Sequence, residues 1–205
     1  MNQKMYRCVA MVLGLAVALS AKPAFAGGGN VLPPTAKPSG YSLAAMADAL
    51  AYFSTSFNDP AYYPKTPFQI LYLNGTNSFT VKTGTQFFVP LLFITDSPPL
   101  LGDFPADASE TAAYYFSEEE LGLNYAEIEV DGKVTSLSPD YAAGPTNSPG
   151  LLDGGGSHYT QLGAFLTPLS KGTHTVTIRF YADGDALDPF GGVFEFENTY
   201  TVIVK

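Results

Sequence analysis

The last part of the chain alternates apolar and polar residues with a period of two. One side of residues 173–181 consists of His174, Val176, Ile178 and Phe180. The other side carries threonines and Arg179, and residues 194–204 repeat the alternation with Phe, Tyr and Val against Glu and Thr. Because successive side chains of a strand point to opposite faces, the pattern predicts two strands, each buried on one face.

Shorter segments of the same kind precede these two strands and are separated by turn residues. The further predicted strands are residues 68–73, 78–82, 86–94, 125–137 and 159–169. The third of these is apolar on both faces, as in a strand buried between layers, and Pro90 within it predicts a bulge or an edge. The fourth contains Asp131-Gly132, which predicts a tight hairpin turn.

A helical pattern occurs near the start of this region. In "YSLAAMADALAYF" the larger apolar residues recur at helical spacing, and Ser42 is suited to cap the first turn. A short amphipathic helix is predicted over residues 42–54. Residues 96–124, with a helical turn capped by Ser117, and residues 138–158 are otherwise predicted to be loops, and their length indicates a functional surface.

These elements predict the fold class. We expect residues 41–205 to form one all-β domain, a single antiparallel β-sandwich of jelly-roll type with a short N-terminal helix. Residues 27–40 alternate Gly and Pro with polar residues and are predicted to be a flexible or extended arm.

The first 26 residues read as a secretory signal. Lys4 and Arg7 form a basic start, residues 9–19 are apolar, and "AFA" is a small-residue cleavage site. The apolar run is shorter than the roughly 20 residues of a membrane-spanning helix. We therefore expect an exported protein, periplasmic or extracellular, without a membrane span after cleavage. The single Cys8 leaves with the signal, which predicts a mature chain free of disulfides.

The charge of the chain limits the classes of molecule that it is expected to bind. The net charge is −9, and removal of the signal, which has three basic residues and no acid, makes it −12. Arg179 is then the remaining arginine, so the basic surface that phosphate backbones require is missing and no nucleic acid is expected as partner. Two explanations of the negative charge are open. Solubility of an exported protein explains it without any ligand, and calcium binding is the more specific explanation.

Three carboxylates in one turn are the candidate calcium ligands: Asp183, Asp185 and Asp188. Calcium needs several hard oxygens at one point, and aspartates clustered around a glycine can supply them. The spacing does not match an EF-hand, and Asp and Gly also form ordinary turns, so a solvated turn is the alternative. Apart from this calcium hypothesis we expect no cofactor.

The two histidines are assigned different roles. His174 lies on the apolar side of its strand, where a histidine packs and satisfies its ring nitrogens internally, so we expect it to be structural. His158 follows a glycine-rich stretch with Asp153 and Ser157 nearby. A catalytic relay needs these groups in a fixed geometry, and an exposed loop is the alternative interpretation.

Surface chemistry offers two further hypotheses. Acidic residues at 103, 107, 110 and 118–120 could supply the carboxylate pair of a glycosidase, or a solvated face. Exposed tyrosines could stack on a sugar or on a partner protein. The candidate ligand-binding residues are Tyr114, Tyr115, His158 and Tyr159.

Several of these segments resemble a family of uncharacterised exported bacterial proteins. The strands "LSKGTHTVTIRF" and "FEFENTYTVIV" are similar to its C-terminal LPxGxHT…TYxxxV pattern, and "GTQFFVPLLFI", "AEIEVDG" and "GAFLTPLS" are similar to further family segments. The family helix is rich in tryptophan, whereas this chain contains none. The resemblance implies a β-sandwich and export, and the family has no established activity.

The sequence thus predicts a non-enzymatic binding or structural module for an unidentified extracytoplasmic ligand, carbohydrate or protein. A secreted hydrolase that uses carboxylates on glycans is the first alternative. A subunit of a cell-surface assembly is the second.

Overall fold

The computed structural model describes residues 30–205, so the predicted signal and Cys8 lie outside the described residues. The described chain is mostly β, with two mixed sheets and two α-helices. The four-stranded sheet contains β1 (Phe68–Ile70), β3 (Gln86–Thr95), β7 (His158–Leu166) and β6 (Ala142–Asn147), in that order. The five-stranded sheet contains β2 (Ser78–Val81), β9 (Phe194–Val204), β8 (Gly172–Ala182), β4 (Leu123–Val130) and β5 (Lys133–Ser136), in that order.

Each sheet contains one parallel pair, so the prediction of purely antiparallel sheets was wrong. β1 runs parallel to β3, and β2 runs parallel to β9. The chain places β1 and β3 in one sheet and β2, which lies between them in sequence, in the other. After β1 the chain crosses to the five-stranded sheet, forms β2 there and returns to the four-stranded sheet as β3. Because β1 and β3 are therefore not joined by a hairpin, they can run in the same direction.

The long strands follow their sequence pattern. In β8 every second side chain is buried from His174 to Ala182, as the alternation predicts. Asp131 and Gly132 both have positive φ and form the predicted hairpin turn between β4 and β5. In β3 the register with β7 shifts between Pro90 and Leu92, which confirms a bulge at the proline.

The helix α1 (Leu43–Thr55) agrees with its prediction. The Ser42 hydroxyl accepts a hydrogen bond from the Ala45 N–H at 3.1 Å, so Ser42 is the N-cap. Leu43, Met46 and Leu50 are buried and join one hydrophobic core with residues of both sheets. The helix packs mainly against β6 and β7.

Two predicted loops contain regular structure. The helix α2 (Ala108–Phe116) has Asp107 as its N-cap, and the Asp107 carboxylate accepts a hydrogen bond from the Ser109 N–H at 2.8 Å. Ser117 is the C-cap of this helix rather than an N-cap. The strand β6 lies within the predicted loop 138–158. Short 3-10 helices complete the chain, at Pro38–Gly40, Pro60–Tyr62, Pro139–Tyr141 and Asp185–Phe190.

The start of the described arm, residues 30–32, is extended and pairs with the end of β7. Val31 forms an isolated antiparallel bridge with Leu166, and the Leu32 N–H donates to the Phe165 carbonyl at 2.8 Å. The Tyr141 hydroxyl also donates to the Leu32 carbonyl at 3.0 Å. These hydrogen bonds fix the arm on the domain from residue 30 onward.

Candidate ligand-binding site

An apolar pocket of about 270 Å³ lies where β3 of the four-stranded sheet faces β8 and β9 of the five-stranded sheet. Its walls come from Pro90–Phe93 of β3, from Ile178 and Phe180 of β8, and from Phe194, Phe196 and Tyr200 of β9. The segment Leu71–Leu73 and residues Ser54 and Asn58 at the end of α1 close the remaining sides.

The pocket exists because the apolar face of β9 is not covered along its whole length. Tyr200 and Val202 of this face are buried, but Phe194 at its start is 39% exposed. The Phe194 ring stands edge-on against Phe180, with ring centroids 4.9 Å apart, and Phe196 stacks on Phe180 at 5.8 Å. These rings form a rigid aromatic wall that faces the cavity.

Two apolar residues that line the pocket are also exposed at the surface. Leu73 is 47% exposed and Phe194 is 39% exposed. Large apolar groups gathered at the surface of a monomer mark an interaction site more often than an accidental exposure.

The polar atoms at this site are few. Among the described residues, those that line the pocket include no Asp, Glu, Lys, Arg or His. The Ser54 hydroxyl is already hydrogen-bonded to the Tyr159 hydroxyl at 3.0 Å. Burial raises the pKa of Tyr200 to about 12, and the side chain of Asn198 opposes that shift, so the phenol is neutral at ordinary pH.

Asn198 lies on the same side of β9 as Phe196 and Tyr200, between them in the alternation. Its Oδ1 accepts a hydrogen bond from Asn77 Nδ2 at 2.6 Å. Its own Nδ2 is buried and makes no hydrogen bond of normal geometry, although the side chain lies close enough to the Tyr200 hydroxyl to lower the pKa of that phenol. Asn198 is not among the residues that line the pocket.

A second cavity, of about 230 Å³, lies between the end of β3 and the glycine-rich segment before β7. Asp153 lines it, and its two carboxylate oxygens accept hydrogen bonds from the hydroxyls of Thr95 at 2.7 Å and Ser97 at 2.6 Å. The Ser97 hydroxyl accepts in turn from the Gly156 N–H at 3.0 Å. Asp153 thereby joins its own loop to the end of β3 and the residues that follow it.

His158 pairs with a different carboxylate from the one that sequence proximity suggested. Its Nδ1 lies 2.8 Å from Asp96 Oδ2, and Asp96 Oδ1 accepts from the N–H groups of Ser157 and His158. The His158 side chain is 47% exposed. Since Asp153 bonds Ser97 while His158 bonds Asp96, residues 153, 157 and 158 do not form a catalytic relay.

His174 is enclosed in the core. The side chain has no exposed surface, its Nδ1 lies 2.7 Å from Asp131 Oδ2, and its Nε2 lies 2.8 Å from the Ser170 carbonyl oxygen. It lies in no open cleft, so the structural role expected from its strand position agrees with this geometry.

Three of the four expected ligand-binding residues are buried. Tyr114 donates to the Leu101 carbonyl at 2.6 Å, Tyr115 shares a hydrogen bond with Thr160, and Tyr159 shares one with Ser54. Burial raises the pKa of all three phenols. Their rings have no exposed face on which a sugar could stack, and His158 alone of the four is exposed.

The aspartates proposed for calcium are not gathered around one point. No group of three or more His, Cys, Asp or Glu side chains within residues 30–205 is arranged to hold a metal ion. Asp183 instead accepts a hydrogen bond from the Asn124 side chain, and Asp185 and Asp188 lie in the 3-10 helix Asp185–Phe190. The geometry fits the turn interpretation.

Three of the acidic residues considered for a glycosidase have structural partners. Asp107 caps α2, and Glu110 accepts from the Ala106 N–H at 2.8 Å. Glu120 accepts from the Asp103 N–H at 3.0 Å, and burial raises its pKa. None of these side chains lines either cavity described above.

The sequence predicted the strands that line the pocket, but it did not predict that a pocket lies between them. The signal it could have used is the pair Phe194 and Phe196, which continue the apolar side of β9 beyond the residues that the core covers. A strand whose apolar face extends past its covering layer leaves an apolar surface for another occupant.

Comparisons with known proteins do not identify the chain. No family model and no curated protein matches it. One solved structure, the solution structure of amebosin, is similar at 14% identity and a TM-score of 0.22, covering 62% of this chain and 88% of that one. A likeness at that TM-score supports no conclusion. In the described part of the chain, no helix has both the length and the apolar character to cross a membrane.

Proposed function

We propose that this protein is a non-enzymatic, extracytoplasmic binding module that holds a small apolar ligand in the pocket between β3, β8 and β9. The observation that carries the proposal is the pocket itself, a concave apolar site of about 270 Å³ with exposed apolar residues at its opening. A cavity lined by aliphatic and aromatic side chains with few polar groups is the usual form of a small-molecule site.

The proposal includes the sandwich fold and the exported location that the sequence predicts. Burial of the β8 face with residues of both sheets in one core supports two packed sheets. The apolar run and "AFA" site within residues 1–26 support export. In this setting the two sheets act as a scaffold, and the gap where the β9 face is uncovered acts as the binding site.

The carboxylates give the hydrolase alternative no support. A glycosidase needs two carboxyl groups facing the same sugar, one of them with a pKa raised by its surroundings. Glu120 has the raised pKa, but its carboxylate accepts a backbone hydrogen bond and lies outside both cavities. A binding role needs no such pair.

The proposal is tested with N-phenyl-1-naphthylamine, a neutral dye whose fluorescence rises in apolar surroundings. The chain contains no Trp, so intrinsic emission interferes little. We expect saturable binding that weakens by about tenfold or more in Leu73→Glu and in Phe194→Glu, because each places a charge at the pocket opening. Both positions are exposed, so the variants should fold.

Val134→Glu is the matched control, since Val134 is 45% exposed on the edge strand β5 and does not line the pocket. This variant should bind the dye as the unaltered protein does. Absence of saturable binding, or equal binding by all three variants, would refute the proposed function.

A further inference from the structure

We propose that the second cavity, between the end of β3 and the glycine-rich segment before β7, binds a small primary amine in its protonated form. The ammonium group lies against the Asp153 carboxylate, and a compact apolar body fills the rest of the cavity. This site is additional to the proposed site for an apolar ligand between β3, β8 and β9. The two sites have a wall in common, because Phe93 lines both cavities.

Asp153 gives the second cavity a negative charge that the described protein does not neutralise. It is the ionisable residue among the described residues that line the cavity, and none of the ion pairs within residues 30–205 involves it. The nearest basic side chain in sequence, His158, pairs with Asp96 instead. A partly buried carboxylate without a counter-ion is stabilised when a cation reaches it. The net charge of −9 also favours the approach of cations over that of anions.

Hydrogen bonds fix the position of this carboxylate and leave it able to accept more. Its Oδ2 accepts from the Thr95 hydroxyl at 2.7 Å, and its Oδ1 accepts from the Ser97 hydroxyl at 2.6 Å. All three residues line the cavity, so their side chains form one polar patch of its wall. An ionised carboxylate can accept about four hydrogen bonds, so about two acceptor sites remain for a ligand.

An ammonium group matches this patch better than a neutral group does. It supplies several N–H donors and a positive charge, and hydrogen bonds between ionised groups are stronger than those between neutral ones. A carboxylate or phosphate in the same position would be repelled by Asp153. The polar end of the ligand is therefore a cation.

The rest of the lining determines the body of the ligand. It consists of apolar side chains: Phe93, Ile94, Pro98, Pro99 and Leu101. A water-sized group occupies roughly 30 Å³ in a liquid, so a cavity of about 230 Å³ has room for about eight such groups. A six-membered carbon ring that carries an aminomethyl group has about this size and presents an apolar surface to these side chains.

The test uses benzylamine, a primary amine of this form, and follows its binding by two-dimensional NMR of the nitrogen-15-labelled protein. Benzyl alcohol, which has the same shape without the charge, and benzoate, which has the opposite charge, are compared with it. We expect benzylamine to bind at neutral pH about tenfold or more tightly than benzyl alcohol, because its hydrogen bond to the carboxylate is charge-assisted. Benzoate should not bind. The amide signals of Thr95, Ser97 and Asp153 should move with benzylamine.

Asp153→Asn removes the charge with little change of shape, and in this variant the advantage of benzylamine over benzyl alcohol should disappear. Asp140→Asn is the matched control, since Asp140 is an exposed acid that lines neither cavity, and it should retain the advantage. An advantage that persists in Asp153→Asn overturns the role of Asp153. Equal binding of benzylamine and benzyl alcohol by the unaltered protein overturns the amine preference without requiring any variant to fold.

Leu73→Glu separates this site from the site of the proposed function. Leu73 lines the apolar pocket and not the second cavity, so the variant should lose affinity for N-phenyl-1-naphthylamine and bind benzylamine as the unaltered protein does. Loss of benzylamine binding in Leu73→Glu would assign the amine to the apolar pocket and overturn this inference. Benzylamine binding by a protein that does not bind the dye would refute the proposed function and support the amine site.

Discussion

His174 Nδ1 lies 2.7 Å from Asp131 Oδ2, and this contact joins the start of β8 to the hairpin turn between β4 and β5. The same carboxylate accepts the Thr175 N–H through Oδ1 at 2.9 Å. Asp131 has a positive φ of 51°, so the turn places its short side chain back against β8. One aspartate thus forms the turn, pairs with the adjacent strand and partners the buried histidine.

His174→Ala should destabilise the protein by about 3–5 kcal/mol, because it removes a hydrogen bond to a nearly buried carboxylate oxygen and leaves a cavity in the core. His158→Ala is the control, since that ring is 47% exposed, and it should cost about 1 kcal/mol or less. Urea unfolding followed by circular dichroism measures both. Equal losses would show that the His174 contact contributes no more than a surface pair.

The Asp96 carboxylate should make stability depend on pH in the acid range. Burial alone would raise the pKa of Asp96, but hydrogen bonds from the N–H and ring of His158 and from the Ser157 N–H outweigh it and lower the pKa. Because the folded-state pKa lies below the unfolded value, the contribution is complete above that unfolded value and is lost as pH falls through the folded one.

Asp96→Asn should therefore reduce stability near neutral pH and flatten its decline below about pH 4. Urea midpoints measured from about pH 6 to about pH 2 test this expectation. Asp48→Asn, at an exposed position of α1, is the control for simple removal of one charge. If both variants show the acid dependence of the unaltered protein, Asp96 does not contribute to it.

The local sequence pattern was sufficient to predict those strands that are buried on one side. The alternation in β4, β8 and β9, the Asp131-Gly132 turn and the Ser42 cap each depend on neighbours in sequence, and each was predicted. The parallel pairs β1–β3 and β2–β9 depend on where the chain crosses between sheets. No local pattern predicts that crossing, because strands far apart in sequence pair according to how their side chains pack in the complete core.

The three tyrosines that were expected at the surface are buried, and the reason is geometric. Neighbouring residues of a strand covered on one face point to opposite sides, so one of two adjacent tyrosines would be exposed there, but Tyr114 and Tyr115 lie on the helix α2 and both are buried. Tyr159 is the second residue of β7, whose two faces are both covered: Tyr159 contacts Ser54 of α1, and Thr160 contacts Tyr115 of α2. Alternation along a strand covered on both faces leaves no exposed ring.

Calcium should not stabilise the protein through the Asp183 turn. Asp183 is held by the Asn124 side chain, and no metal-binding group of three acids occurs within the described residues. We expect the melting temperature to change by less than about 1 °C when calcium is added, because a ligand stabilises only the state that binds it. A rise of several degrees that Asp183→Asn abolishes would restore the calcium hypothesis.

Gly144 should be the position of β6 least tolerant of substitution. Its φ is +114°, and an added Cβ would lie 2.6 Å from the Tyr159 carbonyl oxygen and 2.9 Å from Thr160 Cα. Both atoms belong to the central strand β7 and cannot move aside. Gly144→Ala should therefore combine the cost of the left-handed backbone with a direct clash.

Gly150→Ala separates these two costs. Gly150 also has a positive φ, of +77°, but an added Cβ would meet nothing within 4 Å. Its substitution should cost about 1–2 kcal/mol for the backbone conformation alone, whereas Gly144→Ala should cost about 1–3 kcal/mol more. Thermal unfolding of the two variants measures the difference. Equal losses would mean that β6 can shift away from β7, contrary to the close contact at Tyr159.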